Sequence, residues 1–160
     1  MNGKTSKVGV IGAGSVGAAV ANALVLLRKC VPVVLFDRTL SKAEGQAWDI
    51  ADAIGLRSEM DVIPTNRYED LADCDVIVIT SGATQKDGES RLDLLEKNAD
   101  ILRGIIKELD RVAPNAIAII VSKGSRCFNA DSDRKFSASG KLNFRFGHSF
   151  GYCKAAISIR

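Results

Sequence analysis

A glycine-rich turn between two apolar runs constrains the fold of this chain most strongly. The run Val8–Ile11 leads into Gly12-x-Gly14-x-x-Gly17, and a second apolar run follows as far as Leu27. The short first run is typical of a strand and the longer second run of a helix. Gly12 would allow a tight turn, Gly14 would let a ligand approach the backbone, and Gly17 would let the helix pack closely on the strand. The helix N-terminus offers N–H groups and a positive dipole end, which suit a phosphate.

An acidic residue lies where such a turn needs one. Asp37 follows Gly17 by twenty residues and ends a further apolar run at 31–36. Its carboxylate can accept hydrogen bonds from a ribose diol, which completes the fingerprint of a dinucleotide site. A carboxylate there would repel a 2′-phosphate, so the pattern favours NAD over NADP. Arg38 weakens this preference slightly, since a guanidinium could pair with that phosphate.

Length and composition indicate one soluble domain. A chain of 160 residues can bury a real core. No apolar leader follows Met1, and Arg28 and Lys29 interrupt the longest apolar stretch, so we expect neither a signal peptide nor a membrane partner. The four cysteines form no CxxC pair, which suits the reducing cytoplasm and predicts no metal site.

The basic character of the chain is confined to its last quarter. Residues 1–121 hold 14 Lys and Arg against 17 Asp and Glu, whereas residues 122–160 hold 8 against 2. Binding to nucleic acid would therefore rest on the tail alone, and we expect none. Residues 122–160 also lack the periodicity of a helix or a strand. We therefore divide the chain into a nucleotide-binding domain, 1–121, and an aberrant, poorly ordered tail, 122–160.

Strands and helices alternate up to residue 121. Predicted strands are 7–11, 31–36, a weak 61–64, 75–80 and 116–121, and predicted helices are 15–28, 41–56 and 91–112. Ser41 with Glu44, and Ser90 with Asp93, have the spacing of helix-capping pairs. The alternation predicts an α/β fold, a Rossmann-type doubly wound parallel sheet that stops before any catalytic domain.

The segment after the fourth predicted strand has the composition of a lid. It runs from Thr80 to Asn98, its middle is polar, and Gly82 and Gly88 lend it freedom. Such a loop opens at the carboxyl end of a parallel strand, where open α/β sheets bind ligands. Arg91 is suited to a carbonyl or carboxylate oxygen, and Gln85 offers a neutral hydrogen-bonding group.

Residues 7–121 resemble the lactate/malate dehydrogenases. The resemblance is carried by the glycine turn, by Phe36-Asp37, by Ala47-Trp-Asp-Ile50, by Asp75–Ala83 and by Gln85–Asn98. It implies a small-molecule substrate and a homotetrameric parent protein in the cytoplasm. It also implies that the groove for NAD is lined by Gly12, Gly14, Val16, Gly17, Asp37, Lys42, Tyr68, Gly82, Ala83, Val121 and Ser122.

The same resemblance implies roles for the two polar loop residues. In this family the arginine corresponding to Arg91 polarises the substrate carbonyl, and the residue six before it selects the substrate. Glutamine at that position, here Gln85, marks the lactate branch, whose members reduce pyruvate to L-lactate in glycolysis and fermentation. An arginine there would pair with the extra carboxylate of oxaloacetate and would be left unpaired, at a cost, beside pyruvate.

The tail departs from the family pattern. Where the family continues with Asn-Pro-Val-Asp, this chain has Lys123-Gly-Ser-Arg126, and the aspartate–arginine pair and the proton-donating histidine are missing. His148 is the only histidine, and we interpret it as an incidental residue. Residues 125–130 and 148–160 can be assigned codons, within the degeneracy of the genetic code, that encode two family-like segments when the reading frame is shifted by one base. We therefore interpret the tail as frameshifted and the chain as an inactive fragment.

Two alternatives remain open from the sequence. One is a related 2-hydroxy-acid or malate dehydrogenase, whose distinguishing pocket residues would lie beyond the point of divergence. The other is a non-catalytic nucleotide-binding module whose basic tail contacts a partner. The second alternative predicts an ordered tail, and the frameshift hypothesis predicts a disordered or poorly packed one.

Overall fold

The protein forms an open sheet flanked by helices. Its structure, a computed structural model, describes residues 6–27, 32–54, 62–85, 88–121, 142–149 and 152–159, and describes only the backbone of Ile54, Arg91 and the last two ranges. The strands are β1 Val8–Ile11, β2 Val33–Phe36, β3 Val62–Thr65, β4 Val76–Ile79, β5 Ile117–Val121, β6 Leu142–Ser149 and β7 Tyr152–Ile159. The helices are α1 Ser15–Leu26, α2 Leu40–Ile54 and α3 Arg91–Val112, with a 3₁₀ turn at Tyr68–Leu71. Within the described ranges no helix combines the length and the apolar character needed to cross a membrane.

The first five strands are parallel and lie in the order β3-β2-β1-β4-β5. The chain moves outward from β1 through β2 to β3, then returns to the other side of β1 to form β4 and β5. The order therefore reverses between β1 and β4, and the helices that follow these two strands, α1 and α3, pack on opposite faces of the sheet, which leaves a crevice at the carboxyl ends of the strands. In open α/β sheets this is where ligands bind.

Both faces of the central strands β1 and β2 are buried, which explains why these strands read as continuous apolar runs. Val34 and Phe36 point to one side, into a core with α3, whereas Val33 and Leu35 point to the other, into a core with α1 and α2. Period-2 alternation within β2 thus divides its side chains between two apolar layers. Helices on both faces confirm the predicted doubly wound α/β fold.

The predicted elements of residues 7–121 are confirmed, with small shifts at their ends. Ser90 accepts a hydrogen bond from the Asp93 amide and Asp93 accepts one from the Ser90 amide, so the predicted capping box of α3 is present. The prediction that Ser41 caps α2 is wrong. The helix already begins at Leu40, and the Thr39 carbonyl accepts the amide hydrogens of Lys42 and Ala43. The 3₁₀ turn was not predicted.

The last two strands extend the sheet beyond β5. The strand β7 pairs antiparallel with β5, and β6 pairs antiparallel with β7. The composition of the tail predicted no strand here. The division of the chain at residue 121 stays a prediction, because strand pairing does not reveal the reading frame that encodes these residues.

We predict that Gly17→Ala destabilises the fold strongly. A Cβ atom at Gly17 would lie 1.8 Å from the Gly12 carbonyl oxygen and 2.8 Å from the Thr80 hydroxyl, so the helix or the turn must move. We expect the free energy of unfolding in urea to fall by about 3 kcal/mol. Gly45→Ala is the matched control, because outside its own helix backbone and chain neighbours no described residue lies within 4 Å of its Cβ position in α2. It should raise that free energy by about 0.5–1 kcal/mol, and equal effects at the two glycines would contradict the packing described here.

Candidate functional site

A groove of about 400 Å³ opens at the carboxyl ends of β1, β2 and β4. It lies at the reversal of strand order, and its walls come from the strand ends, from the N-terminal part of α2 and from the middle of α3. The residues that line it are Ile11, Gly12, Gly14, Phe36, Asp37, Arg38, Lys42, Tyr68, Thr80, Ser81, Gly82, Ala83, Asp100, Ile101, Gly104 and Ile105.

The glycine turn forms the floor of the groove. Gly12 has φ +106°, a conformation that costs glycine little and other residues much. Among the described residues, none apart from its two chain neighbours lies within 4 Å of the Cβ position of Gly14, so a ligand can approach its backbone closely. Gly14 is also the N-cap of α1, which has no side-chain cap and no acidic residue in its first turn. Amide hydrogens of that turn, together with the helix dipole, are therefore available to an anion.

Asp37 ties the turn to the second strand. One of its carboxylate oxygens accepts a hydrogen bond from the Ala13 amide at 2.9 Å, and the other accepts one from the Thr39 amide at 3.1 Å. The Lys42 ammonium lies 3.7 Å from the first of these oxygens. The side chain of Asp37 keeps 15% of its surface exposed. It therefore stabilises the turn and still presents a negative edge to the groove.

The wall contributed by β4 is held by two polar side chains. The Thr80 hydroxyl lies 3.0 Å from the Gly12 carbonyl oxygen and 3.1 Å from that of Ile11, so it donates to the end of β1. The Ala83 amide donates to the side-chain oxygen of Asn98 at 2.7 Å, which fixes the start of the following loop to α3. The backbone at Gly82 and Ala83 is thus held against the groove at both ends.

The side of the groove next to β2 is aromatic. The ring centroids of Phe36 and Tyr68 are 4.4 Å apart, with the rings tilted by 36°. Burial, followed by the negative charge of Glu108, raises the pKa of the Tyr68 phenol, and the positive charge of Arg38 opposes this shift. The Tyr68 hydroxyl is therefore protonated near neutral pH and can act as a hydrogen-bond donor.

The two residues predicted to meet the substrate flank the loop that follows. Gln85 is exposed, and its side-chain amide donates to the Glu89 carbonyl oxygen at 2.9 Å. Gly88 has φ +81°, and Arg91 is the first residue of α3, immediately after the capping residue Ser90. The Arg91 side chain and residues 86–87 lie outside the described part of the structure. Gln85 is not among the residues that line the groove.

The structure brings most of the predicted cofactor residues together. Those that line the groove are Gly12, Gly14, Asp37, Lys42, Tyr68, Gly82 and Ala83. Gly17 lies beneath the turn and packs on Gly12. The side chain of Val16 is largely exposed on the first turn of α1, and Val121 ends β5 half-buried, but neither lines the groove. Ser122 lies outside the described residues, and so does the His148 side chain.

Sequence reasoning did not single out the residues that α3 contributes. Asp100, Ile101, Gly104 and Ile105 have the spacing of one helix face, but this mixture of charge, glycine and isoleucine resembles an ordinary amphipathic face. Thr80 and Ser81 could have been found, because they directly follow a parallel strand beside the switch point. In the described part of the chain no three or more His, Cys, Asp or Glu side chains are grouped to hold a metal ion.

Comparison with protein families identifies this arrangement. Residues 6–125 match the family model described as the NAD-binding domain of lactate/malate dehydrogenase. The chain belongs to the lactate/malate dehydrogenase family. Members of this family are oxidoreductases, and the matched residues, which include those that line the groove, form the family's NAD-binding domain.

Individual relatives agree with this placement. The chain is 47% identical to an L-lactate dehydrogenase of Deinococcus radiodurans over 116 residues, which are 72% of this chain and 38% of that protein. It is similar to a lactate dehydrogenase from a Medee basin deep-sea metagenome library, with a TM-score of 0.68 at 35% identity over 75% of this chain and 38% of that one. The malate dehydrogenase of Archaeoglobus fulgidus in complex with NADH gives a TM-score of 0.66 at 34% identity, over 73% of this chain and 40% of that one. The chain therefore spans less than half the length of these relatives.

The residues present fit NAD. Gly14 leaves its backbone open for a pyrophosphate at the N-terminus of α1, and the carboxylate of Asp37, which lines the groove, is a suitable acceptor for a ribose diol. The backbone of Gly82 and Ala83 completes the wall on the side of β4. When bound, the cofactor supplies or accepts a hydride. The chain itself binds and orients it.

We predict that Asp37→Ala weakens NADH binding at least tenfold, because a charge-assisted hydrogen bond to the ribose contributes about 1.5–3 kcal/mol. Isothermal titration calorimetry on the full 160-residue chain measures the Kd. Loss of the acceptor for the Ala13 and Thr39 amides should also lower the free energy of unfolding by about 1–3 kcal/mol, measured in urea. Asp49→Ala removes an exposed carboxylate of α2 that does not line the groove, and should leave the Kd within about twofold. An unchanged Kd in folded Asp37→Ala would show that the carboxylate does not contact the cofactor.

Proposed function

We propose that this chain carries the cofactor-binding half of an NAD-dependent L-lactate dehydrogenase, which reduces pyruvate to L-lactate with NADH. The observation that carries the proposal is Gln85, in the segment where family members differ by substrate. The 47% identity to an L-lactate dehydrogenase supports it. By analogy with such enzymes, the complete protein would act in the cytoplasm as a homotetramer.

Gln85 favours pyruvate for an electrostatic reason. The complete site would close over the substrate and exclude water, so an unpaired charge near the methyl group of pyruvate would be costly. A neutral amide avoids that cost and offers no partner for the second carboxylate of oxaloacetate. Gln85 donates to the Glu89 carbonyl within its own loop, outside the groove, so its amide is hydrogen-bonded when no substrate is bound.

Arg91 is the residue proposed to polarise the substrate carbonyl. It begins α3, where the capping box of Ser90 and Asp93 fixes the backbone. The ion pair between Lys97 and Glu89 joins the segment before Arg91 to the second turn of the helix. A guanidinium on this anchored backbone can donate two hydrogen bonds to an oxygen of the substrate.

The chain as given lacks the rest of the catalytic machinery. Residues 1–121 contain no counterpart of the family's aspartate, second arginine and proton-donating histidine. The tail does not contain these residues within the sequence motifs in which the family has them. A positioned general acid is worth about 10²–10⁴ in rate. We therefore propose that the 160-residue chain binds the cofactor and turns over substrate hardly at all.

A frameshift near the codons for residues 122–125 would explain the tail. It would account together for the reversal of charge after residue 121 and for the divergence from Asn-Pro-Val-Asp. A related 2-hydroxy-acid or malate dehydrogenase is a second candidate within the family, since malate dehydrogenases match the fold about as well as lactate dehydrogenases do.

A non-catalytic binding module is a further candidate from another class, and one observation favours it. The strands β6 and β7 pair with each other, and β7 pairs with the edge of the sheet at β5. An ordered tail is what this alternative predicts. A frameshifted tail would have no selected reason to form such a pair of strands.

An independent DNA read across the codons for Val121 to Arg126 separates these possibilities. We predict one base fewer, which restores Asn-Pro-Val-Asp and continues into a catalytic half. Protein made from the corrected gene should reduce pyruvate with a higher kcat/KM than oxaloacetate, and Gln85→Arg should reverse that order. If the DNA stands as given, the frameshift is refuted and the binding module is favoured. If the corrected protein prefers oxaloacetate, the lactate assignment is wrong.

A further inference from the structure

We infer that two copies of this chain associate through an apolar face beside α1, where the described residues leave one side of β5 partly uncovered. This α1–β5 face consists of a stripe on α1 and of neighbouring residues on β4 and β5, namely Val20, Leu24, Leu27, Val76, Ile117 and Ile119. The inference goes beyond the cofactor role of the groove and does not depend on it.

The two sides of β5 are buried to different extents. Ala118 and Ile120 are buried in the core with α3. On the other side Ile117 is 45% exposed, Ile119 is half-buried, and no residue of β5 belongs to the described core beneath α1 and α2. Pairing with β7 continues the sheet sideways and adds no layer over this side. Since a strand that is apolar on both sides is typically buried on both, β5 has the sequence of a strand that needs a further cover.

The helix α1 borders the uncovered side of β5 with a second apolar surface. Only two of its 12 residues have polar side chains. Val20, Leu24 and Leu27 follow the i, i+4, i+7 spacing of one stripe. Val20 and Leu24 pack against the same core as Val76 of β4, so the stripe faces β4 and β5. Leu27 remains 65% exposed. A helix that is apolar almost all round is normally buried all round, so α1 also lacks a neighbour on this flank.

The α1–β5 face is complementary to itself. The stripe on α1 stands above the sheet, and the side chains of β4 and β5 form a flatter floor next to it. When two copies meet across a twofold axis, the stripe of each copy can rest on the floor of the other, so that every contact is made twice. The six residues carry no charge and no polar side-chain group. No like charges therefore meet, and no side-chain hydrogen bond to water is lost, which favours a second copy over a charged partner.

The size of the face predicts a weak dimer. The 12 residues of α1 give it a length of about 18 Å, and one helix with two strand spacings gives a width of about 20 Å. Stable interfaces typically bury about 800 Å² on each partner, so this face is at the small end of specific interfaces. We expect a reversible dimer with a Kd on the order of micromolar.

Sedimentation velocity on the full 160-residue chain, from about 1 to about 200 µM, measures the association. The dimer fraction should rise with concentration and should not fall when salt is added, because apolar contacts are not screened. Leu27→Lys and Ile117→Lys should each raise the dimer Kd at least tenfold, because each places an unpaired charge in the contact twice.

Ile63→Lys is the matched control. Ile63 is 40% exposed, close to the 45% of Ile117, but lies on β3 at the opposite edge of the parallel sheet, so the dimer Kd should stay within about twofold. Leu27 and Ile117 lie at the amino ends of the strands, away from the groove at the carboxyl ends. Their lysine variants should therefore bind NADH as the unchanged chain does, which shows that they are folded.

A second measurement needs no substitution. On dilution of the unchanged chain, the ¹H–¹⁵N amide signals of Leu24 and Ile119 should shift, and that of Ile63 should keep its position. A monomer at every concentration, association that salt abolishes, or an unchanged dimer Kd in both folded lysine variants would overturn the inference. Because NADH binding is measured on the same samples, such a result leaves the assignment of the cofactor groove standing.

Discussion

The site depends on one close approach between two pieces of backbone. A Cβ atom at Gly17 would lie 1.8 Å from the Gly12 carbonyl oxygen, so α1 crosses the end of β1 at a distance that only glycine permits. The positive φ of Gly12 turns the chain there, and Gly14 then faces open space. Because the helix starts so close to the strand end, its N-terminus points into the crevice of the sheet. This geometry suits an anion at the N-terminus of the helix.

The neighbouring strands secure the turn from both sides. Thr80, just after β4, donates to the carbonyl group of Gly12, and Asp37, just after β2, accepts from the Ala13 amide. The Gly12 amide donates in turn to the Phe36 carbonyl oxygen at 2.8 Å. The residues that would recognise a cofactor are thus also the residues that hold the turn in place. Substitutions there are therefore expected to change stability as well as binding.

The parts of the fold with strong local patterns could be predicted from the sequence. The glycine spacing and Asp37 follow from the needs of a single turn, and Ser90 with Asp93 is a local capping motif. The α3 wall of the groove could not be predicted, since it depends on how that helix packs across the sheet. Ser41 was misjudged because Thr39 and Leu40 start the helix two residues earlier than the capping motif suggested. The compensation of Asp37 by Lys42 is likewise visible only in three dimensions.

The family match covers residues 6–125, which include the groove assigned to the cofactor. The most direct measurement is therefore a map of NADH contacts by ¹H–¹⁵N nuclear magnetic resonance on the full chain. We predict that amide signals of Ala13, Gly14 and Gly82 shift in a saturable way, while those of Gly45 and Asn115, which do not line the groove, keep their positions. No shift up to millimolar NADH, or shifts that avoid the groove, would contradict the assignment of this groove to the cofactor.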